Sequence, residues 1–570
     1  MQTEHFIPGK DRSLEATIQT LQAKLAQRGF TLVESSWLNE VEGIWSVHMR
    51  DQECAMLFSN GKGATELAAR ASALGEFVER LGTHYFWTHF YLGATRANKP
   101  FVHYPQERWF AHTEDGSWPQ ALLTPELHAF YNPEGEISSE VLVDLNSGHV
   151  ARGICALPYT RLSDGASVYI PVNIIGNLYV SNGMAAGNTM LEARTQALSE
   201  IFERQIKYRI ISEGLCLPEV PDAVIQRYPH IAKSIQGLRD AGFGILVRDA
   251  SLGGRYPVMN VTLLHPKDQG VFASFGAHPR FEIALERAMT ELLQGRALDT
   301  LEGFPEPGFD MDEINAVANL EIHFVDSSGV VSWGFMSDAP DCEFVDWNFS
   351  ASTAEDYAWL VAAIHAEGKE IYVADFEEQG AYSCRILVPG FSEIYPVEDL
   401  EWENNSIGNQ LRPALVKLDT LSDGECAALL VELQSMDLSD ERPIWEILGL
   451  AVPLGTPWKQ LRVGELKTLL ALAIGDEAAV REGCDWIHHF KDMDAPRRLV
   501  YRCVESLLGL PDRESYERSL ALLYGQATLR QASALLDRSE RFFGLPTLGA
   551  DMQGSAMHQS LLKAYDKLFA

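Results

Sequence analysis

One segment of this chain occurs twice without a gap. GATELAARASALGEFVER, from Gly63, and GNTMLEARTQALSEIFER, from Gly187, align at a constant offset of 124 residues. Ala69/Ala193, Arg70/Arg194, Ala73/Ala197, Leu74/Leu198, Glu76/Glu200, Glu79/Glu203 and Arg80/Arg204 all coincide. An apolar run ending in Ser-Asn-Gly precedes each copy, FSNGKG at 58–63 and VSNGMAAG at 180–187, and reads as a strand. A third, degraded copy leads from VFASFG at 271–276 into ALERAMTELLQGR at 284–296. There Ala284 matches Ala193 and Glu291 matches Glu200, while Gln294 replaces the second glutamate. Such a pattern predicts one strand-turn-helix unit used three times.

On a helix, residues three and four apart share a face, so Glu76 and Glu79 point together, as do Glu200 and Glu203. Their neighbours are apolar or small: Leu74, Gly75, Phe77 and Val78 in one copy, Leu198, Ile201 and Phe202 in the other. Packing these helices together crowds four or five carboxylates into one partly buried place, and such a cluster recruits cations. Oxygen-only ligands favour Mg²⁺, which takes one or two carboxylates per ion and completes its shell with water and phosphate oxygens. Arg204 and Arg287 supply positive charge for phosphates. A single Glu76–Arg80 pair would mean only a solvated helix stabilised by about 0.2–0.5 kcal/mol. Repetition of the same acids while their polar neighbours vary favours a site. A di-iron carboxylate centre is the rival use, but it calls for Glu-x-x-His where these helices have Glu-x-x-Glu.

Other motifs carry less. NGKGAT at 60–65 fails the P-loop pattern, since Gly63 and Ala64 follow Lys62 where Ser or Thr is required. Cys484, His488 and His489 lack a second half-site and read as a helix face. The eight cysteines are scattered without a CxxC pair, as in a reduced cytoplasmic protein. No run approaches a membrane span, LLALAI at 469–474 coming nearest. With 46 Lys+Arg against 79 Asp+Glu the formal charge is -33, which disfavours nucleic acid and suits a basic protein partner.

Along the chain, β-branched or aromatic runs (44–49, 54–58, 168–180, 256–264 and 370–376) alternate with alanine-rich helices up to about Pro396, predicting an α+β domain over 1–405. Residues 100–150 read as an elaborated insertion. Beyond Asn404 the spacing is helical, as at 463–487 and 514–536, predicting an all-α, tetratricopeptide-like region over 406–570 for partner binding or dimerisation.

SALGEFVER, SNGMAAGNTMLEARTQALSEIFER and GAHPRFEIALERAMTELLQ together resemble the YcaO family, from FIPGKD through CRILVPG at 384–390. The tail, through VGELKTLLALA and HQSLLKAYDKL, is similar to that of its stand-alone bacterial members. The resemblance implies an ATP-binding fold without a P-loop. It makes Glu76, Glu79, Glu200, Glu203 and Glu291 ligands of Mg²⁺. Lys10, Ser72, Asn188, Glu192, Arg204 and Arg287 would contact nucleotide, with Arg287 and Glu291 the catalytic pair. The implied chemistry is ATP-driven phosphorylation of a peptide-backbone amide oxygen, in support of β-methylthiolation of an aspartate on a small-subunit ribosomal protein. The implied partners are a radical methylthiotransferase, a basic ribosomal protein and a second copy in a homodimer, with no nucleic acid and no membrane. Azole-forming members end in a proline-rich tail whereas this chain ends KAYDKLFA, so azoline formation is not carried over. Two other readings stand beside this one: a nucleotide-responsive adaptor for the methylthiotransferase, and a metal-dependent hydrolase that uses no nucleotide.

Overall fold

The computed structural model describes residues 4–144, 150–377, 381–398, 400, 408–491 and 493–569. Three antiparallel sheets organise the first part. One contains β1 (Leu32–Val41), β2 (Ile44–Asp51) and β3 (Phe58–Gly63) in that order. A second joins β4 (Arg108–Phe110), β5 (Ile154–Arg161), β6 (Ser167–Pro171), β7 (Met184–Gly187), β11 (Tyr372–Phe376) and β12 (Tyr382–Leu387). Its order is β4-β5-β11-β12-β7, with β6 also paired to β5. The third contains β8 (Gly244–Asp249), β9 (Val258–Leu264) and β10 (Val271–Ala277), with β9 central. The α+β expectation is met.

Each repeat ends its strand on a different sheet and enters a helix: β3 leads to α2 (Glu66–Gly82), β7 to α3 (Met190–Glu213) and β10 to a later helix (Phe281–Glu291). The threonine shared by both full copies is the N-cap of both helices. The Thr65 side chain accepts from the amide of Ala68, and that of Thr189 from Glu192. The degraded copy lacks this residue, and Arg280 stands at its helix start without a side-chain cap.

Several runs fold differently from the sequence expectation. VYIPVNIIGNLYV is a strand only to Pro171; residues 172–179 are helical, the last five as a π-type turn. Proline ends the strand because it has no amide to donate. CAMLF is mostly turn, with β3 starting at Phe58. The two Ser-Asn-Gly triplets are not equivalent either, since Ser59, Asn60 and Gly61 lie within β3 whereas Ser181, Asn182 and Gly183 form the turn before β7. The described residues of the 100–150 segment, read as an elaborated insertion, contribute to the core. Trp118, Leu122, Tyr131 and Leu142 pack with Ile154, Ile170 and Tyr372 in one core over the six-stranded sheet.

With α1 (Leu14–Gln27) leading the chain, α4 (Pro229–Asp240) precedes β8, α5 is the third repeat helix, Phe281–Glu291, and α6 (Val317–Val325) and α7 (Thr353–Ala366) lie against α3. After residue 408 come α8 (Asp423–Ser435), α9 (Val463–Ile474), α10 (Glu477–His489), α11 (Ala495–Gly509), α12 (Glu517–Tyr524), α13 (Gln526–Leu536) and α14 (Ala556–Asp566). The two long helical runs of the sequence are each broken at a glycine of positive φ, Gly475 and Gly525. Helices α8 to α11 pack in sequence, α13 lies on α11, and Leu469, Leu470, Cys484, Ile487, Val504 and Leu507 form part of their core.

The last helix does not stay with the others. Leu561, Leu562 and Tyr565 of α14 bury themselves with Val47 of β2 and with Leu74 and Phe77 of the first repeat. Trp87 Nε1 donates to the Leu561 carbonyl at 3.1 Å, Tyr565 Oη to that of Val102 at 2.7 Å, and Arg96 reaches Asp566 at 2.6 Å.

Candidate functional site

The three repeats close on one another. α2 packs on its own strand β3 and on β7, α3 on β7 and β10, and α5 on β10 and β3. The helix of each unit thus covers the strand of the next, giving a ring with approximate threefold character. Small residues permit it. A Cβ on Gly61 would lie 2.1 Å from the Ala69 carbonyl oxygen and one on Gly276 2.4 Å from that of Ala284, so strand and helix backbones nearly touch. In two units a buried serine stitches this contact. Ser59 Oγ donates to the Ala73 carbonyl, Ser274 Oγ to that of Ala288, both at 2.8 Å.

The ring brings the acidic positions together and joins the units by their side chains. Glu203 of α3 accepts from the Ala277 amide of β10 at 3.2 Å and faces Arg287 of α5 at 3.5 Å. Arg287 also donates to Gln196 of α3 at 2.7 Å. Gln294, which stands where the other copies have Glu79 and Glu203, donates to the Asn60 carbonyl of β3 at 2.5 Å. Glu291 of α5 is ion-paired with Lys62 of β3. Within single units, Glu76 pairs with Arg80 at 2.5 Å and accepts from the Asn60 amide at 3.3 Å, and Glu200 pairs with Arg204 at 3.0 Å. Ser72 Oγ accepts from the Lys62 amide at 3.4 Å.

The remaining expected residues meet at the start of α3. Lys10 lies 3.2 Å from Glu192, which is 4% exposed and also accepts from the Asn188 side chain at 3.0 Å and the Asp11 amide at 3.1 Å. The FIPGKD segment is tied down there.

Five carboxylates (Glu76, Glu79, Glu200, Glu203 and Glu291) thus face four cations (Lys62, Arg80, Arg204 and Arg287). Glu79 has no cation within ion-pair distance among the described residues. Burial, reinforced by the carboxylates of Glu200 and Glu76, holds its carboxyl well above the ordinary range. Burial also raises Glu76, against the opposing pull of Arg80. Lys62 is pressed down to about 8 by burial, while the nearby Glu203 carboxylate works against that fall. The donor set is all oxygen, and its carboxyl groups outnumber their paired cations by one, which fits a hard divalent cation. Among the described residues no three His, Cys, Asp or Glu side chains converge closely enough to hold a metal by themselves. Pairs of carboxylates are what the ring offers, which suits Mg²⁺, an ion that keeps several water or phosphate ligands.

Sequence reasoning missed Lys62, set aside with the failed P-loop pattern, and Gln196, which occupies in its repeat the position of Ser72 and Arg287. The shared register of the copies was the available signal for Gln196. Cys484 is buried and His488 and His489 are exposed on α10, a helix face as expected. No helix among the described residues is long and apolar enough to cross a membrane.

A family model described as YcaO cyclodehydratase, ATP- and Mg²⁺-binding, matches residues 60–392, and one described as the YcaO cyclodehydratase C-terminal domain matches 408–570. The Escherichia coli protein named "Ribosomal protein S12 methylthiotransferase accessory factor YcaO" is 50% identical, covering 99% of this chain and 98% of its own. A Haemophilus influenzae protein described as uncharacterized is 46% identical, covering 100% and 98%. Among solved structures, YcaO from Methanopyrus kandleri bound with AMPPCP and Mg²⁺ matches with a TM-score of 0.44 and 16% identity, covering 71% of this chain and 97% of that one. With family models on both parts and half of all positions shared with a full-length relative, the chain belongs to the YcaO family of ATP- and Mg²⁺-binding proteins.

Proposed function

We propose that this protein binds ATP and Mg²⁺ among its three repeat helices and serves as an accessory factor in β-methylthiolation of a small-subunit ribosomal protein, by activating a peptide-backbone amide. The observation that supports it most is the ring itself, which gathers five glutamates and their cations from three separate units into one place. The accessory role is supported by the full-length identity to the Escherichia coli protein of that name.

Glu76, Glu79, Glu200, Glu203 and Glu291 would hold Mg²⁺, and Lys10, Ser72, Asn188, Glu192, Arg204 and Arg287 the nucleotide. Bound there, Mg·ATP supplies a transferable phosphoryl group with part of its charge already neutralised. Arg287, tied to both Glu203 and Gln196, is held where it can meet developing negative charge without reorganising. Glu291, one turn along the same face of the same helix, is paired with Lys62, which a bound metal would have to displace. Residues 1–405 and 406–570 would form two cooperating units in the cytoplasm.

Glu200→Gln tests the site. It is expected to abolish Mg²⁺-dependent ATP binding in calorimetric titration while circular dichroism stays native. Unchanged ATP affinity would overturn the reading. A second reading, a nucleotide-responsive adaptor with incidental turnover, is favoured by Leu522 and Leu523, which stand exposed on α12 of the helical region as a surface for the methylthiotransferase or a second copy. Rescue of methylthiolation by the folded but nucleotide-dead variant would select the adaptor.

A further inference from the structure

The segment between α5 and α7 is unlike the rest of the surface. From Asp299 to Asp346 it carries twelve acidic residues and no lysine or arginine, and all twelve are exposed. Apolar side chains are exposed on the same segment. Of the fifteen large hydrophobic side chains exposed among the described residues, five (Phe309, Val317, Ile322, Val325 and Trp333) fall within it. Phe309 is 86% and Val325 71% exposed.

These side chains are held, not loose. Phe309 and Trp333 stack with ring centroids 5.8 Å apart, on two stretches joined by hydrogen bonds between Gly308 and its partners Val331 and Trp333. α6 is pinned from its other side. Asn319 exchanges hydrogen bonds with Val330 in both directions, and His323 contacts the same carbonyl. Asn319 and His323 therefore face inward, while Ile322 and Val325 stay in solvent. A monomer has no folding reason to hold five large apolar groups outward on a rigid support.

α6 also abuts the glutamate site. Arg204 donates to the Phe324 carbonyl at 3.2 Å with its guanidinium 4.2 Å from the Phe324 ring, and Lys207 donates to the His323 carbonyl at 2.6 Å. Whatever covers this face stands beside the residues assigned to nucleotide.

We propose that the face formed by Phe309, Trp333 and the outer side of α6 is a docking surface for a Lys/Arg-rich polypeptide with apolar or aromatic anchors. The charge selects the occupant. A second copy would present the same acids, and anionic lipid or nucleic acid would be repelled, whereas a basic chain gains attraction at the rim and burial at the anchors. The choice of a protein partner rests on the accessory role proposed above; the surface itself does not depend on ATP.

The test is fluorescence anisotropy of a labelled synthetic Lys/Arg-rich peptide containing two aromatic residues, titrated with the full chain at several salt concentrations. An apolar set, Trp333→Ser with Val325→Ser, is expected to weaken binding about tenfold with the salt dependence kept. A charge set, Asp310→Asn, Asp312→Asn and Glu313→Gln, is expected to weaken it comparably and flatten the salt dependence; asparagine at 310 preserves the helix cap there. A control set on the helical region, Glu482→Gln, Asp485→Asn and Glu505→Gln, is expected to change nothing. Mg·ATP affinity, measured on the same variants, should equal that of the parent, so that loss of the nucleotide reading and loss of this one are separate results. Undiminished peptide binding in the first two sets, or equal weakening in the control set, would overturn the proposal. A change of oligomeric state in the apolar set, with peptide binding intact, would assign the face to a second copy instead.

Discussion

A lysine placed among five glutamates is at once their counter-charge and a competitor for any metal they bind. Lys62 pairs with Glu291, and its ammonium feels Glu203, Glu76 and Glu200 as well. Lys62→Met removes one of four cations, so the metal-free protein should lose about 1–3 kcal/mol, the worth of a charge-assisted hydrogen bond. Mg²⁺ should then stabilise the variant more than it stabilises the parent. Thermal unfolding with chelator and with Mg²⁺ checks both, and a Mg²⁺ response smaller than the parent's would show that Lys62 helps to bind metal. Glu79 is the opposite case, a buried carboxylate facing like charge without a cation. Glu79→Gln should raise the stability of the metal-free protein by about 1 kcal/mol and weaken Mg²⁺ binding, since the surplus charge is what attracts the ion. Equal stability of parent and variant in chelator would mean that Glu79 is already neutral at the pH of measurement. The glutamates were legible because duplication printed them twice. Lys62 was not, because its meaning lies in a residue of another unit, brought near only by closing the ring.

The outer two units depend on a strand and a helix meeting closer than a side chain at the facing position allows. In the shared register Gly61, Ala185 and Gly276 are equivalent, so the middle unit accepts a methyl group where the outer two do not. Gly276→Ala would set a Cβ against the backbone at Ala284 and Ala288, and should cost about 3 kcal/mol in urea unfolding. A loss below about 0.5 kcal/mol, typical of surface substitutions, would mean that the third unit relaxes as the middle one has. At this scale the sequence was informative where chemistry repeats: the aligned alanines and the paired acids. It misled where motif and register part company. The Ser-Asn-Gly triplets look alike, yet one is strand and the other turn. Residues 172–179 have strand-like composition, but Pro171 takes them out of the ladder. The breaks at Gly475 and Gly525 are single-residue signals inside strongly helical runs, visible only as a backbone of positive φ.

At the scale of the molecule, the helical region is clamped to the first repeat by the chain's own last helix. That return could not be read from HQSLLKAYDKL, whose apolar spacing states that a face is buried but not against what. His558 is its fixing point. Fully buried, it accepts from the Ala451 amide through Nδ1 at 3.2 Å and donates through Nε2 to the Tyr91 carbonyl at 2.9 Å, which together require the neutral ring. Burial, with Arg96 and Arg412 adding to it, holds it down at about 4 from an ordinary 6.5. As pH falls the unfolded chain takes up this proton near 6.5 and the folded chain only near 4. The stability it contributes is therefore complete above 6.5 and lost progressively down to 4, at about 1.4 kcal/mol per pH unit. His558→Gln should give up about 1–2 kcal/mol near pH 7 but lose about 1.4 kcal/mol less than the parent on going to about pH 5.5. Glu76 and Glu79, raised by burial, titrate in the opposite sense in both proteins and cancel in the difference. Urea unfolding at the two pH values measures it, with hydrogen exchange across 556–566 reporting whether the clamp opens first. Equal losses in parent and variant would show that His558 already takes up its proton in the folded state and does not hold the helix through its neutral form.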